Sequence, residues 1–306
     1  HYAPRAAVTV VTGTPRRSAA WIQAHLPAGA GVICFDEYAP LFAGHIVHRL
    51  GSQEDKLAQA QHVFDALRTF DDTDVTAIFA QCPDESGLGL AVGNRLKKAA
   101  GFHTVDAAPL VIGFTGPTGA GKTSALRALE RLGGLVLDCD AVYHDLLRTD
   151  STLRDAIAGA FGQVFAPDGT LDRQRLGTVV FSDPAALDTL NRIIYARLPR
   201  ELLRRMDESS APVVGVDAIN LIESGLCDMC RRTVAVLAPA EQRVRRIMAR
   251  AGIPEEYARL RVQAQKDDGF YRTHCTDTLF NDCADAAAFE DAAYAALHRI
   301  LKEERA

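Results

Sequence analysis

Short apolar runs alternate along the chain with longer amphipathic stretches, and that alternation predicts strands interleaved with helices. Residues 7–12 and 31–35 are compact apolar runs of strand length, and residues 74–79 supply a third. Ser18 is placed to cap a helix running through His25, while Ala60, Val63, Phe64 and Leu67 fall at i, i+3, i+4 and i+7 on one face of a longer helix. Residues 88–100 predict a closing helix. Residues 101–109 carry no periodic apolar pattern and predict the boundary of a first unit spanning 1–105. The pattern resumes with the apolar run Leu110-Val111-Ile112-Gly113-Phe114, followed by Leu126, Leu129 and Leu132 at helical spacing. Gly133-Gly134 stops that helix, and Leu135-Val136-Leu137 makes the next strand. Strands alternating with helices predict α/β architecture with parallel sheets, and the second unit spans 109–306.

Between strand and helix, at the start of the second unit, stands Gly116-Pro117-Thr118-Gly119-Ala120-Gly121-Lys122-Thr123. This is the G-x-x-x-x-G-K-[ST] pattern in its confirming context of strand, glycine loop and helix, and it predicts a phosphate-binding loop. Glycines let successive N–H groups point at an anion with no Cβ in the way, and a helix beginning at Lys122 or Thr123 adds the positive end of its dipole. Lys122 is expected to reach the β- and γ-phosphates of ATP, and the Thr123 hydroxyl to ligate Mg²⁺. The candidate nucleotide-binding set is Gly116, Thr118, Gly119, Ala120, Gly121, Lys122, Thr123 and Ser124.

The strand after the loop helix ends in Asp138-Cys139-Asp140. In doubly wound sheets ligands lie at the carboxyl ends of strands, so two carboxylates emerging there face the same cleft as the phosphate loop. If strand alternation persists, Asp138 and Asp140 point to one side and Cys139 to the other. One carboxylate can then take a proton from an attacking hydroxyl and the other hold Mg²⁺. The competing expectation is that they cap the next helix, where Asp is favoured in any case.

Composition narrows the partners. The chain has 306 residues, 48% hydrophobic and 24% charged, with a formal net charge of -5, which gives no support to nucleic-acid or bilayer binding and favours small-molecule substrates. No apolar run is long enough for a membrane span and no leader pattern is present, so a cytoplasmic protein is expected. The chain begins at His1 rather than Met, which predicts a part upstream. Seven cysteines, an odd number, do not resemble a disulfide framework, and the Cys227-x-x-Cys230 pair has no second pair at zinc spacing. His1, His25, His45, His48 and His62 show no ligand-like spacing, and Gly87-Leu88-Gly89 is too short for a dinucleotide fingerprint.

Two resemblances follow from separate motifs. His1-Tyr2-Ala3-Pro4, Leu50-Gly51-Ser52, Leu67-Arg68-Thr69-Phe70-Asp71 and the stretch Gly87 through Ala100 resemble the C-terminal domain of long-form threonylcarbamoyl-AMP synthases. The resemblance implies a catalytic synthase domain upstream of His1, as a partner within a longer chain, and no threonylcarbamoyl-AMP formation by these residues alone. The second unit resembles dephospho-CoA kinases. It does so through Phe161-Gly162, Asp168-Gly169-Thr170-Leu171-Asp172-Arg173, Leu176-Gly177, Val180-Phe181-Ser182-Asp183-Pro184, Leu190-Asn191, Ile222-Glu223-Ser224-Gly225-Leu226 and Gly252-Ile253-Pro254-Glu255-Glu256, together with Gln265, after the phosphate loop and Asp138-x-Asp140.

That resemblance implies transfer of the ATP γ-phosphoryl group to the ribose 3′-hydroxyl of dephospho-CoA. It implies a P-loop kinase fold with a helical acceptor-binding insertion over about 151–209 and a lid over about 250–265. By position it implies Asp140 as general base, Asp138 as its Mg²⁺-side partner, and Arg246 as the lid arginine that contacts the ATP phosphates. Of the basic run Arg243, Arg245, Arg246 and Arg250, at least half are expected on a solvated helix face. The sequence departs from the family pattern at Tyr195-Ala196, where His-Pro is usual, at Ile219-Asn220, where Pro-Leu is usual, and at Asn281-Asp282, where Asp-Asn is usual. The first two departures carry an alternative reading, a P-loop kinase with a different small acceptor. A nucleotide-binding module of the synthase without transfer activity is the other.

Overall fold

The computed structural model describes residues 4–84, 87–166 and 168–304. His1, Tyr2 and Ala3 lie outside the described residues. The chain divides into two compact units, His1–Pro109 with Asp207–Pro212, and Leu110–Met206 with Val213–Ala306.

In the first unit the elements run β1 (Ala7–Thr12), α1 (Pro15–His25), β2 (Gly31–Cys34), β3 (Ile46–Arg49), α2 (Lys56–Thr69), β4 (Ala77–Gln81), α3 (Gly87–Ala99) and β5 (Thr104–Asp106). The strands form one parallel sheet in the order β3-β2-β4-β1-β5. Val10, Ile33, Ile78, Leu67 and Leu96 are buried between sheet and helices.

Three sequence expectations are corrected here. Thr14, not Ser18, caps α1: its hydroxyl accepts from Arg17 N at 3.3 Å, and Pro15 occupies the first helical position, where its fixed φ suits the turn. Ser18 lies inside the helix with its hydroxyl on the Pro15 carbonyl. The strand expected at 74–79 begins at Ala77. Residues 101–109 contain β5, which pairs with β1 through Val10 and Thr104, so the sheet extends into the expected boundary. His25, His45 and His62 turn Nδ1 toward backbone carbonyls, while His48 packs edge-on against Phe70.

The second unit runs β6 (Leu110–Thr115), α4 (Lys122–Arg131), β7 (Leu135–Asp138), α5 (Cys139–Thr149), α6 (Ser151–Phe161), α7 (Arg173–Ser182), α8 (Pro184–Tyr195), α9 (Leu198–Glu208), β8 (Val213–Asp217), β9 (Arg232–Leu237), α10 (Ala240–Ala251), α11 (Glu255–Gln263), α12 (Asp268–His274), β10 (Asp277–Phe280) and α13 (Ala286–Glu303). Its parallel sheet has the order β10-β9-β6-β8-β7. β6 is the central strand and is covered on both faces, which is why its sequence reads as a continuous apolar run.

On one face α4 packs against α13, burying Ala125, Leu129, Phe289, Ala293 and Leu297 over Ile112 and Phe114. Full burial of each large side chain contributes about 1.5–3 kcal/mol, which anchors the helix that follows the glycine loop. On the other face a second core collects Leu137, Val142, Leu153, Ile157, Leu190, Leu198 and Leu202 with Val214 and Val216, joining the helical insertion α6–α9 to the sheet. No helix among the described residues is long and apolar enough to cross a membrane.

Candidate functional site

The loop between β6 and α4 is shaped by what its backbone must do. Gly116 adopts φ +136°, and a Cβ there would stand 2.2 Å from the Val236 carbonyl oxygen of β9. Gly121 caps α4 with φ +106°, and its Cβ would meet the Asn281 amide nitrogen at 2.3 Å. Both positions therefore require glycine, for conformation and for space. α4 starts at Lys122, so the N–H groups of Lys122 and Thr123 have no acceptor four residues back and are aimed out of the helix with the positive dipole end, while those of Ser124 and Ala125 donate to the Gly121 carbonyl. Substituting Gly121→Ala combines left-handed strain of about 1–3 kcal/mol with displacement of Asn281. We expect a lower melting temperature and at least a ~10-fold weaker ATP affinity, measured by thermal unfolding and titration calorimetry.

A second layer holds the loop from behind. Asn281, buried at the end of β10, donates Nδ2 to the Ala120 carbonyl at 2.8 Å and its backbone N–H to Leu237 O at 2.7 Å. Arg246 on α10 donates Nη1 to the carbonyls of Gly119 (3.2 Å) and Ala120 (3.4 Å), and Nη2 to Gln242 and Asn281. Arg243, also on α10 and buried, donates Nε to Thr118 O at 3.1 Å and Nη2 to Gln265 Oε1 at 2.6 Å. Gln265 in turn accepts the Thr118 N–H at 3.0 Å and donates Nε2 to the Thr118 hydroxyl at 2.8 Å. Thr118 is thus held at its N–H, hydroxyl and carbonyl. Arg245 and Arg250 are exposed, so half of the basic run faces solvent and half faces the loop.

Acidic groups collect beside the loop at the strand ends. Lys122 Nζ lies 2.5 Å from Asp217 Oδ1, with the two side chains 17% and 18% exposed. Asp217 ends β8, directly beside β6, and its backbone is in register with Asp138 at the end of β7. Burial pushes the Asp217 carboxyl above the ordinary Asp range, the Lys122 ammonium opposes that rise, and the carboxylates of Asp138 and Asp140 add to it. These four groups form one electrostatic cluster.

The expected strand alternation at Asp138 and Asp140 is corrected by the structure. β7 ends at Asp138, and Cys139 already begins α5. Asp138 caps that helix, its Oδ1 accepting from Asp140 N (2.8 Å) and Ala141 N (3.2 Å), so the capping expectation holds for it. Asp140 sits exposed in the first helical turn with its carboxylate outside the cap. Cys139 points inward and is buried, which pushes its thiol up to about 12. Cys227 and Cys230 are free thiols, and no cluster of three metal-ligating side chains occurs among the described residues.

Sequence reasoning missed Asp217 and the contact of Asn281 with the loop. For Asp217 the signal was available. Val213-Val214-Gly215-Val216-Asp217 is an apolar run ending in Asp, the same local pattern that singled out Leu135 to Asp138. Nothing local marks Asn281, because its partner Ala120 lies 161 residues away.

Residues 110–286 match the family model for dephospho-CoA kinase, more than half of the chain. The chain belongs to the dephospho-CoA kinase family. Among curated relatives, the dephospho-CoA kinase of Thermobifida fusca is 37% identical over 160 residues, 51% of this chain and 79% of that protein. The dephospho-CoA kinase of Corynebacterium jeikeium is 34% identical over 176 residues, 56% of this chain and 90% of the relative. Among solved structures, TT1252 from Thermus thermophilus superposes with a TM-score of 0.54 at 32% identity, covering 64% of this chain and 97% of that one. Residues 1–101 match the family model for the C-terminal domain of threonylcarbamoyl-AMP synthase. In the kinase region, the matched span runs from β6 past β10 and so contains the phosphate loop, the acidic cluster and Asn281.

Proposed function

We propose that this chain transfers the γ-phosphoryl group of ATP to the ribose 3′-hydroxyl of dephospho-CoA, giving coenzyme A and ADP. The observation that carries the reading is the phosphate loop with Lys122 fixed against Asp217 in one cluster with the exposed Asp140, whose charge reaches Tyr195 on the wall of an open cleft of about 660 Å³ under α8. Phosphoryl transfer asks a protein chiefly for in-line positioning and charge neutralisation. The N–H groups of Gly119, Gly121, Lys122 and Thr123 and the Lys122 ammonium supply both at the ATP phosphates, while those of Ala120 and Ser124 donate to Pro117 and Gly121 within the loop. Arg246, bonded to the loop carbonyls of Gly119 and Ala120, is the arginine placed to approach the phosphates.

Asp140 is the base: its carboxylate is exposed and within electrostatic reach of the cleft-lining Tyr195, and it accepts the proton from the attacking 3′-hydroxyl as the new P–O bond forms and the bond to ADP breaks. Thr123 and Asp138 suit Mg²⁺, because a hydroxyl at the start of α4 and a carboxylate at the end of β7 offer the hard oxygen donors this ion prefers. When bound there it neutralises charge on the phosphate oxygens. The similarity of residues 1–101 supports a threonylcarbamoyl-AMP synthase catalytic domain as the partner of the first unit, and a cytoplasmic setting suits both activities.

The test is ADP release from Mg²⁺-ATP with and without dephospho-CoA, with the product weighed by mass spectrometry. Acceptor-dependent ADP and a product heavier by one phosphate are expected. ATP binding without acceptor-dependent turnover would overturn the assignment and favour the altered-acceptor or accessory-module reading, separable by an acceptor screen.

A further inference from the structure

The cleft under α8 has a built polar edge. Asn220, in the loop after β8, donates Nδ2 to the Tyr195 hydroxyl at 2.5 Å, across 25 residues of sequence. Both side chains line the cleft, together with Asp188, Arg192, Glu223 and Ser224. Tyr195 is the last residue of α8 and half-buried, whereas Asn220 is exposed. Burial lifts the phenol above its ordinary range, the Asn220 and Ser224 side chains that contact it oppose the rise, and the nearby Asp140 carboxylate adds to it. The pair therefore lines the open cleft, and its phenol lies within electrostatic reach of the proposed base.

An Asn side chain carries one acceptor and two donor hydrogens, and its orientation is free unless something fixes it. Here the phenol fixes it. With Nδ2 committed to Tyr195, the Oδ1 of Asn220 remains as an acceptor for a partner in the cleft. We propose that Asn220 Oδ1 accepts a hydrogen bond from the nucleoside end of the phosphoryl acceptor, with Tyr195 as the positioning residue that sets the amide, so that the reacting hydroxyl comes to rest beside Asp140. The donor is a hydroxyl of the ribose or the exocyclic amine of the base. Both residues stand where the sequence leaves the usual family pattern, and the structure joins them, so the two departures act as one device. The inference rests on the proposed kinase reading for the identity of the acceptor.

Steady-state kinetics of ADP release on the full chain provide the test, with Tyr195→Phe, Asn220→Leu and the double variant. Expected is a ~10-fold rise in KM for dephospho-CoA in each single variant, little change in kcat or in KM for ATP, and a double variant no worse than Asn220→Leu alone. Analogues lacking the exocyclic amine or the 2′-hydroxyl identify the donor: the one whose removal costs wild type ~10-fold and Asn220→Leu nothing is the partner. Unchanged KM for the acceptor in both variants overturns the proposal. So does a parallel loss of kcat and of ATP affinity, which marks a structural role. If wild type shows no acceptor-dependent turnover, the kinase reading fails separately, and calorimetric binding of dephospho-CoA decides: weaker binding to both variants supports the pair, and equal binding or none to wild type overturns it.

Discussion

Replacing Lys122 by Met is expected to lower phosphoryl transfer by ~10³-fold and to weaken the fold at neutral pH. The kinetic part follows from position. Lys122 is the first residue of α4, at the mouth of a loop whose N–H groups are fixed dipoles, and its ammonium, held by Asp217, is the positive charge placed to offset the charge on the phosphates in the transition state. The stability part follows from Asp217. Its Oδ1 is buried and faces no donor among the described residues other than that ammonium, so the substitution strands a carboxylate. With both side chains keeping some exposure, the loss at pH 7 is about 1–3 kcal/mol.

The pH dependence has a definite sign. A folded-state pKa above the ordinary Asp value favours the fold below that ordinary value, and the contribution is lost as pH rises through the folded pKa. Removing Lys122 takes away the group that restrains the rise, so the window over which stability falls moves upward. Denaturant melts of the variant should converge on wild type toward acid pH and diverge toward pH 7. A constant difference across that range would show that Asp217 is not the group responsible. Adding Asp217→Asn to Lys122→Met should restore most of the stability and none of the activity.

Asp140→Asn separates chemistry from architecture more cleanly. Asp140 contributes its backbone N–H to the Asp138 cap and its carbonyl to His144 Nδ1, and neither contact uses the carboxylate. The variant should fold and melt as wild type and bind ATP with nearly unchanged affinity, while transfer to dephospho-CoA falls by ~10²-fold or more, since an amide cannot take the hydroxyl proton. Single-turnover kinetics with preloaded ATP is the direct measurement. Wild-type rates in the variant would remove Asp140 from the base role and leave Asp138 and Asp217 as the other carboxylates of the cluster.

The phosphate loop was legible because its backbone leaves the residue types almost no choice. Positive φ at Gly116 and Gly121, with a carbonyl and an amide where a Cβ would be, writes glycine into the sequence. The start of α4 and the stop at Gly133-Gly134 were legible for similarly local reasons. Asp138-x-Asp140 was found, but its geometry was misread, because alternation describes a strand and the strand ends one residue before Cys139. β5 escaped notice because a three-residue edge strand holding one apolar side chain has no periodicity. The lock on Thr118 and the Tyr195–Asn220 bond join residues 147 and 25 positions apart, and no window along the chain displays such pairings.

The attachments of α10 and Gln265 have a consequence for motion. Arg243 and Arg246 tie the segment before Gly252 to the phosphate loop, Gln265 ties the segment after α11 to the same loop, and Arg259 bonds α11 back to Glu241 of α10 at 2.6 and 2.8 Å. The segment 252–264, where the resemblance implies a lid, is therefore an arch with both feet on the phosphate loop, not a flap on a single hinge. Closing it must bend residues 252–264 between two fixed feet or lift a foot, and lifting a foot frees the Thr118 N–H or the carbonyls of Gly119 and Ala120. A nucleotide that competed for the Thr118 N–H or drew Arg246 off the carbonyls of Gly119 and Ala120 would loosen the arch in the act of binding, tying occupancy of the loop to freedom of the segment above it.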